Sequence, residues 1–290
     1  MKASSPRAPR MKPKLGQHFL VDKSAVVRIV EALGDISQAT VLEIGPGRGA
    51  LTSLLARTAR RVIAIEKDRV LAAQLRMGFS LKANIEIIEG DFLAVDFDTL
   101  FGPKPGSTRP GIEPRYERVH VIGNLPYFIT SDILLRLFRY RKHLETMVLM
   151  VQKEVADRLT ARPGSKDYAL LSATAQLYAD VEKVFTLPPS AFSPPPKVFS
   201  SLVRLTPSDR LQKLRVDEYE LIQFLKLSFG QKRKTLWNNL KGQYAADDLR
   251  QAMSRAQLRP QIRAEALTLE ASASLMRELR RLRNPASPEG

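Results

Sequence analysis

Thr40-Val-Leu-Glu-Ile-Gly-Pro-Gly-Arg-Gly-Ala-Leu-Thr52 decides the fold class of this 290-residue chain. Its first five residues are a short apolar run, its glycines mark a tight turn, and Ala50–Thr58 has the pattern of a helix. A strand that turns through glycine into a helix lets the backbone come close to a ligand. The rhythm continues outward. Arg61–Glu66 reads as a strand and 68–77 as a helix. Ile85–Glu89 is a strand ending at Gly90-Asp91, 119–123 a fourth strand and 146–151 a fifth. Between the last two, Ile133, Leu134, Leu137 and Phe138 share a helical face. Upstream, Val26, Val27, Val30 and Leu33 recur at helical spacing, with Ser24 expected as the N-cap. Strands alternating with helices predict an α/β fold whose parallel sheet is covered on both faces.

Composition narrows the function classes. The chain is 44% hydrophobic, enough for a real core, and contains no cysteine, which excludes a disulfide scaffold, a thiolate zinc site and a cysteine nucleophile. Its three histidines, His18, His120 and His143, are scattered, so no metal is expected. No apolar run approaches the ~20 residues that span a bilayer, and the basic N-terminus lacks an apolar core. A soluble, cytoplasmic, monomeric protein without membrane contact is the expectation. The net charge of +16 is unevenly spread. Residues 1–14 hold Lys2, Arg7, Arg10, Lys12 and Lys14 with no acid, and residues 206–290 hold 16 basic against 10 acidic residues. Lys and Arg displace condensed counterions from phosphates, so a polyanionic partner is implied, with a merely solvated basic surface as the alternative.

The chain divides into three parts by pattern. Residues 1–13 read as a disordered basic arm, 14–205 as the α/β domain and 206–290 as a small all-helical domain. In the last part Ile222, Leu225 and Phe229 share a face, as do Leu249, Ala252, Met253 and Ala256, and Ala271, Leu275, Leu279 and Leu282. Two segments interrupt the α/β part. Residues 102–116 read as a long surface loop, and 186–198, with five prolines, as a fixed extended segment.

Chemistry concentrates at the strand ends. Gly45-x-Gly47-x-x-Ala50 satisfies the dinucleotide pattern, and Glu66, closing the second strand, stands where an acid grips ribose hydroxyls. Asp91, past the third strand, is placed to accept from an adenine amine. Both acids could instead only cap the segments that follow them. These residues leave two enzyme classes open: hydride transfer with NAD and methyl transfer with S-adenosylmethionine. The fourth strand separates them, ending in Gly123-Asn-Leu-Pro-Tyr-Phe128. The exocyclic amine of adenine is a poor nucleophile because its lone pair is delocalised into the ring. The Asn124 side-chain oxygen and the Leu125 carbonyl could each accept one N6–H and draw the nitrogen toward tetrahedral geometry, an interaction stronger in the transition state than in the planar ground state. Pro126 fixes the turn, and Tyr127 offers a face to a base taken out of its helix. A β-turn with a buried tyrosine is the structural alternative.

Together the motifs resemble the KsgA/RsmA family of ribosomal RNA adenine N6-dimethyltransferases. The matching stretches include Lys14-Leu-Gly-Gln-His-Phe-Leu20, Glu43-Ile-Gly-Pro-Gly-Arg-Gly-Ala-Leu-Thr52, Val62-Ile-Ala-Ile-Glu-Lys-Asp68 and Gly123-Asn-Leu-Pro-Tyr127. They continue with Val151-Gln-Lys-Glu-Val-Ala-Asp-Arg158, Ser190-Ala-Phe-Ser-Pro-Pro-Pro-Lys-Val-Phe-Ser200 and Gln231-Lys-Arg-Lys-Thr-Leu236. The resemblance implies a Rossmann-like class I methyltransferase sheet with a small helical C-terminal domain, and S-adenosylmethionine as methyl donor. It implies two adjacent adenines in the 3′-terminal hairpin loop of small-subunit rRNA as acceptors, met within a pre-30S particle. By motif, His18, Leu20, Gly45, Gly47, Glu66, Asp91 and Asn124 would bind the donor. Asn124, Leu125, Pro126 and Tyr127 would hold the base, with Phe192 stacking on its other side. Lys232, Arg233 and Lys234 would bind RNA. His18 stands where many family members carry Asn. Two rivals remain at this point: a resistance-type methylase of large-subunit rRNA, and a non-catalytic RNA-binding assembly factor with the same fold.

Overall fold

The computed structural model describes residues 17–97, 100 and 118–283. The expected arm at 1–13 and loop at 102–116 lie outside these. The chain starts with a two-residue strand β1 (Phe19–Leu20) and helix α1 (Lys23–Glu31), followed by β2 (Thr40–Ile44), α2 (Ala50–Thr58), β3 (Arg61–Glu66), α3 (Arg69–Gly78) and β4 (Ile85–Glu89). After the intervening segment come β5 (Val119–Asn124), α4 (Thr130–Arg139), β6 (Leu144–Gln152), α5 (Lys153–Leu159), α6 (Leu170–Tyr178), β7 (Ala179–Leu187), β8 (Phe192–Ser193) and β9 (Ser200–Pro207). Helices alone follow: α7 (Arg210–Leu214), α8 (Glu218–Ser228), α9 (Leu236–Leu240), α10 (Ala246–Arg255) and α11 (Leu269–Arg283).

The seven-stranded sheet runs β4-β3-β2-β5-β6-β9-β7. From β4 to β6 all pairs are parallel, as the alternation of strands and helices predicts. The sheet is mixed, however, because β9 pairs antiparallel with both β6 and β7. The expectation of a wholly parallel sheet missed these two strands. β7 has an exposed middle, so its pattern carries little apolar signal, and β9 follows a proline-rich stretch that reads as extended whether or not it pairs.

Alternate residues on each strand point to opposite faces, and each face has its own core. Val41, Val62, Ile122, Val148 and Leu202 pack against Ala25, Ile29, Leu51 and Leu55 of α1 and α2. Leu42, Ile63, Val121, Leu149 and Val203 pack against Ile133, Leu134 and Leu137 of α4. That second core is continuous with the helical region: Leu221, Phe224 and Leu225 of α8, Leu249 and Met253 of α10, and Leu275 and Leu279 of α11 belong to the same cluster. Two expected helix faces hold, whereas on α8 the buried stripe is Leu221, Phe224 and Leu225, with Ile222 and Phe229 only packed beside it.

Helix starts show where local chemistry decides. Asp22, rather than Ser24, caps α1: its Oδ1 accepts the Ser24 and Ala25 N–H groups at 2.9 and 3.1 Å. A carboxylate is the stronger acceptor and also suits the positive end of the helix dipole. The segment 186–198 is not uniformly extended. It holds a 3-10 turn at Pro189–Ala191 before β8, which pairs with β1 and so brings the proline-rich segment against the N-terminal strand. Among the described residues no helix is long and apolar enough to cross a membrane.

Candidate active site

The parallel order puts the carboxyl ends of β3, β2 and β5 side by side. The chain leaves β2 toward β3 and β4 on one side, and β5 and β6 lie on the other, so a crevice opens between β2 and β5. A cavity there is lined by Gln17, His18, Phe19, Leu20, Glu43, Gly45, Gly47, Glu66, Asn124 and Tyr127, among others. Residues from three strand ends and from an N-terminal strap thus meet at one place.

The glycine turn shapes its floor. Gly45 has φ +63° and open space where a Cβ would stand. Gly47 has φ +59°, and a Cβ on it would meet the Phe19 ring at 3.0 Å. The strap therefore lies directly on the turn, and the Arg48 guanidinium covers the same ring, 4.4 Å from its centroid. Glu66 braces the turn from beneath: Oε2 accepts the Gly47 N–H at 2.9 Å and Oε1 the Asp68 N–H at 2.8 Å. Its carboxylate keeps further lone pairs for a ligand's hydroxyls. An open glycine cradle beside a fixed carboxylate fits a nucleoside-bearing donor.

The Asn-Leu-Pro-Tyr turn forms the opposite wall. Asn124 Nδ2–H donates to the His18 carbonyl at 2.8 Å, which turns the amide so that Oδ1 is the remaining acceptor. The Leu125 N–H is held by the Met150 carbonyl at 3.0 Å. Pro126 sits at φ −60° and ψ 129°, and its carbonyl takes the Thr130 hydroxyl at 3.1 Å. Tyr127 is half-buried, its hydroxyl bonded to Ser200 at 2.7 Å, and burial pushes its phenol pKa up.

Two residues expected in the site do not line the cavity. Phe192 is 3% exposed, packed in the core, and its backbone pairs with Leu20, so its ring shows no free face. Asp91 is absent from the cavity wall. Lys67 Nζ holds its Oδ2 at 2.6 Å and the Leu93 N–H its Oδ1 at 3.0 Å, and these bonds, Lys67 first, keep its pKa low. Lys232, Arg233 and Lys234 are exposed but do not open a helix. They form the turn before α9, whose cap is Thr235, and Lys232 Nζ donates to the Lys166 carbonyl at 2.8 Å.

Sequence reasoning left Glu43 without a role of its own. It lines the cavity from the middle of β2, is 1% exposed, and accepts the Thr52 hydroxyl at 2.7 Å. Burial, reinforced by Glu66, pushes its carboxyl up to about 7 despite the Thr52 bond. A charged residue in an otherwise apolar strand was the available signal. Among the described residues no group of three or more acids or histidines gathers as a metal site.

Residues 8–281 match the family described as ribosomal RNA adenine dimethylase. The chain belongs to that family. It is 54% identical over 281 residues to a ribosomal RNA small subunit methyltransferase A of Koribacter versatilis strain Ellin345, covering 97% of this chain and 99% of the relative. With the protein of the same name from Acidobacterium capsulatum it shares 51% over 269 residues, 92% of this chain and 91% of the relative. In structure it resembles a dimethyladenosine transferase from Plasmodium falciparum, with TM-score 0.71, 26% identity, and coverage of 91% of this chain and 98% of the other. It also resembles the 23S rRNA methyltransferase ErmE, with TM-score 0.67, 27% identity and coverage of 90% and 99%. This family member is therefore an S-adenosylmethionine-dependent rRNA adenine dimethyltransferase with a Rossmann-like sheet and a helical C-terminal part.

Proposed function

We propose that the chain dimethylates N6 of two adjacent adenines in the 3′-terminal hairpin loop of 16S rRNA, acting as a cytoplasmic monomer on a small-subunit precursor. The observation that carries the chemistry is the Asn124 amide. Its donor end is tied to the strap, so its acceptor end stands ready beside the glycine cradle.

S-adenosylmethionine supplies an electrophilic methyl group on a sulfonium. The protein's part is to bind, orient and polarise. Glu66 holds ribose hydroxyls while bracing Gly47, and Gly45, Gly47, His18 and Leu20 enclose the donor. Asp91 reads the adenine of the donor from the rim, through lone pairs that Lys67 and Leu93 leave. Asn124 Oδ1 and the Leu125 carbonyl accept the two N6–H groups of the target base, and both bonds strengthen as nitrogen becomes tetrahedral. Nitrogen forms its bond to methyl as the carbon–sulfur bond breaks, and the proton then leaves the methylated amine for water. Tyr127 stays a neutral phenol and serves as a stacking face. The helical region 206–290, with Lys232, Arg233 and Lys234, holds phosphates.

Small-subunit specificity is supported by the 54% and 51% identities to small-subunit enzymes, against 27% to the large-subunit enzyme. The test is methyl transfer from labelled donor to unmethylated small subunits, with the modified bases mapped by primer extension. Label in the 3′-terminal hairpin loop is expected. Label confined to large-subunit RNA, or no transfer, would overturn the proposal.

A further inference from the structure

The chain has 12 phenylalanines, and among the described residues two are exposed: Phe128 at 77% and Phe199 at 51%. A single exposed ring needs no explanation, but these two share one edge of the sheet. Phe128 sits in the 3-10 turn Tyr127–Ile129, just past the carboxyl end of β5. Phe199 immediately precedes β9, which runs antiparallel to β6 and so starts at that same edge. Its carbonyl accepts the Lys153 N–H at 2.9 Å, which fixes it against the end of β6. In the chain, Phe128 is next to Tyr127 and Phe199 next to Ser200, and the hydroxyls of Tyr127 and Ser200 are bonded at 2.7 Å. The two rings thus border the wall proposed to hold the target base, and neither belongs to either hydrophobic core.

Spacing and charge name the occupant. β6 separates β5 from β9, so the strand ends that carry the rings lie about 10 Å apart. Neighbouring bases in a helix rise by about 3.4 Å, so a duplex cannot lay neighbouring bases on both rings. A single strand with its bases splayed can. Cations stand between and beside the rings. Lys197 is exposed two residues before Phe199. Lys153 is exposed at the end of β6, although Asp157 Oδ2 engages its ammonium at 2.6 Å. Aromatic faces interleaved with cations suit the bases and phosphates of one strand.

We propose that Phe128 and Phe199 are stacking platforms, outside the cavity, for the nucleotides that flank the target adenine. This rests on the rRNA methyltransferase reading above and leaves the target base where that reading puts it. A base must give up its stacking neighbours before it can enter the cavity, and that loss opposes entry. Neighbours held on protein rings keep a stacking partner, so the cost of splaying the strand falls. They also cannot stack back on the target and draw it out. Stacking uses the face of a base and not its edges, so the platforms tolerate sequence and leave base choice to Asn124 and Leu125. Because the two proposed targets are adjacent, one flanking base is always the other adenine. It rests on a ring while its neighbour is methylated.

The experiment uses the full chain and the 3′-terminal small-subunit hairpin, with 2-aminopurine at the nucleotide before or after the target. Wild-type protein should quench both probes on binding. Phe128→Leu and Phe199→Leu keep an apolar side chain but remove the aromatic face. Each should weaken hairpin binding about 5- to 150-fold, the worth of one stacked base, and relieve the quench at one flanking position. Phe128→Trp and Phe199→Trp should bind at least as tightly as wild type. Donor affinity by calorimetry should stay at the wild-type value in all four variants, since neither ring lines the cavity. A fully paired RNA of the same sequence should bind all of them alike. Wild-type hairpin affinity in either Leu variant, an equal loss on hairpin and duplex, or Trp variants as weak as the Leu ones would each overturn the proposal. Wild-type methyl transfer to unmethylated small subunits, run alongside, separates the two readings. Transfer with unquenched flanking probes removes only the platforms, and absence of transfer removes the function on which they rest.

Discussion

Asn124→Ala removes the acceptor proposed for the target amine and the hydrogen bond observed to the strap, and each has its own readout. The first is the Oδ1 acceptor for the target amine. Losing one preorganised acceptor should lower the rate of methyl transfer on the order of 10²–10³, by analogy with the loss of one oxyanion-hole donor. The second is the 2.8 Å bond from Nδ2–H to the His18 carbonyl, which ties the strap over the cavity proposed to hold the donor. A neutral bond of this kind contributes roughly 0.5–1.5 kcal/mol, so donor affinity should fall about 2- to 12-fold. Single-turnover transfer with donor and small subunits saturating isolates the first effect, and calorimetric titration of the donor isolates the second. Asn124→Asp sharpens the comparison. It keeps an acceptor toward the base but sets a second oxygen against the His18 carbonyl, where a donor is required. Its donor affinity should therefore be no better than that of Asn124→Ala. If Asn124→Ala ran within a few-fold of wild type at saturation, the turn would be structural and the chemistry argued here would be wrong. If Asn124→Asp bound donor as tightly as wild type, the link between strap and amide would carry no weight.

Glu66→Gln should weaken donor binding by about tenfold or more although it preserves shape, because its amide sets N–H donors against the Gly47 or Asp68 N–H that a carboxylate accepts; unchanged affinity in calorimetry would remove Glu66 from the donor site. Replacing Lys232, Arg233 and Lys234 together with Ala should flatten the slope of log K for RNA against log[salt] by up to about one unit per lost phosphate contact while donor binding persists, and an unaltered slope would mark the cluster as a solvated turn. Glu43 keeps its proton up to about 7 in the folded chain, against an ordinary value of 4.5, so the folded state binds the extra proton between these values and stability should fall as pH rises through that window, by on the order of 3 kcal/mol. Glu43→Gln should lose that pH dependence, and urea titrations at about pH 5 and about pH 8 would show it; equal slopes for the two proteins would place the proton elsewhere.

Much of the molecule follows from local sequence. Apolar alternation and glycine punctuation place β2, β3, β4 and β5 and the helices after them, because strand and helix periods are properties of a few consecutive residues. The site's chemical types are equally legible: glycines at 45 and 47, an acid closing β3, and an amide before a proline at the end of β5. Adjacent parallel strands then align these ends by the topology of the fold alone, so the glycine turn, Glu66 and Asn124 meet at one cavity.

What the sequence could not determine depends on pairing between distant segments. The antiparallel β9 and β7 have no turn signal linking them to β6, and their register comes from covering the sheet edge. The orientation of Asn124 depends on a carbonyl 106 residues away in the chain. Phe192 reads as an aromatic free to stack, yet its pairing with Leu20 across the strap buries it. His18 reads as a polar donor contact, yet its ring lies on Tyr127. In each case the side chain's chemistry is written locally. Whether that chemistry faces ligand, solvent or core is set by which remote backbone packs against it, and this only the tertiary structure decides.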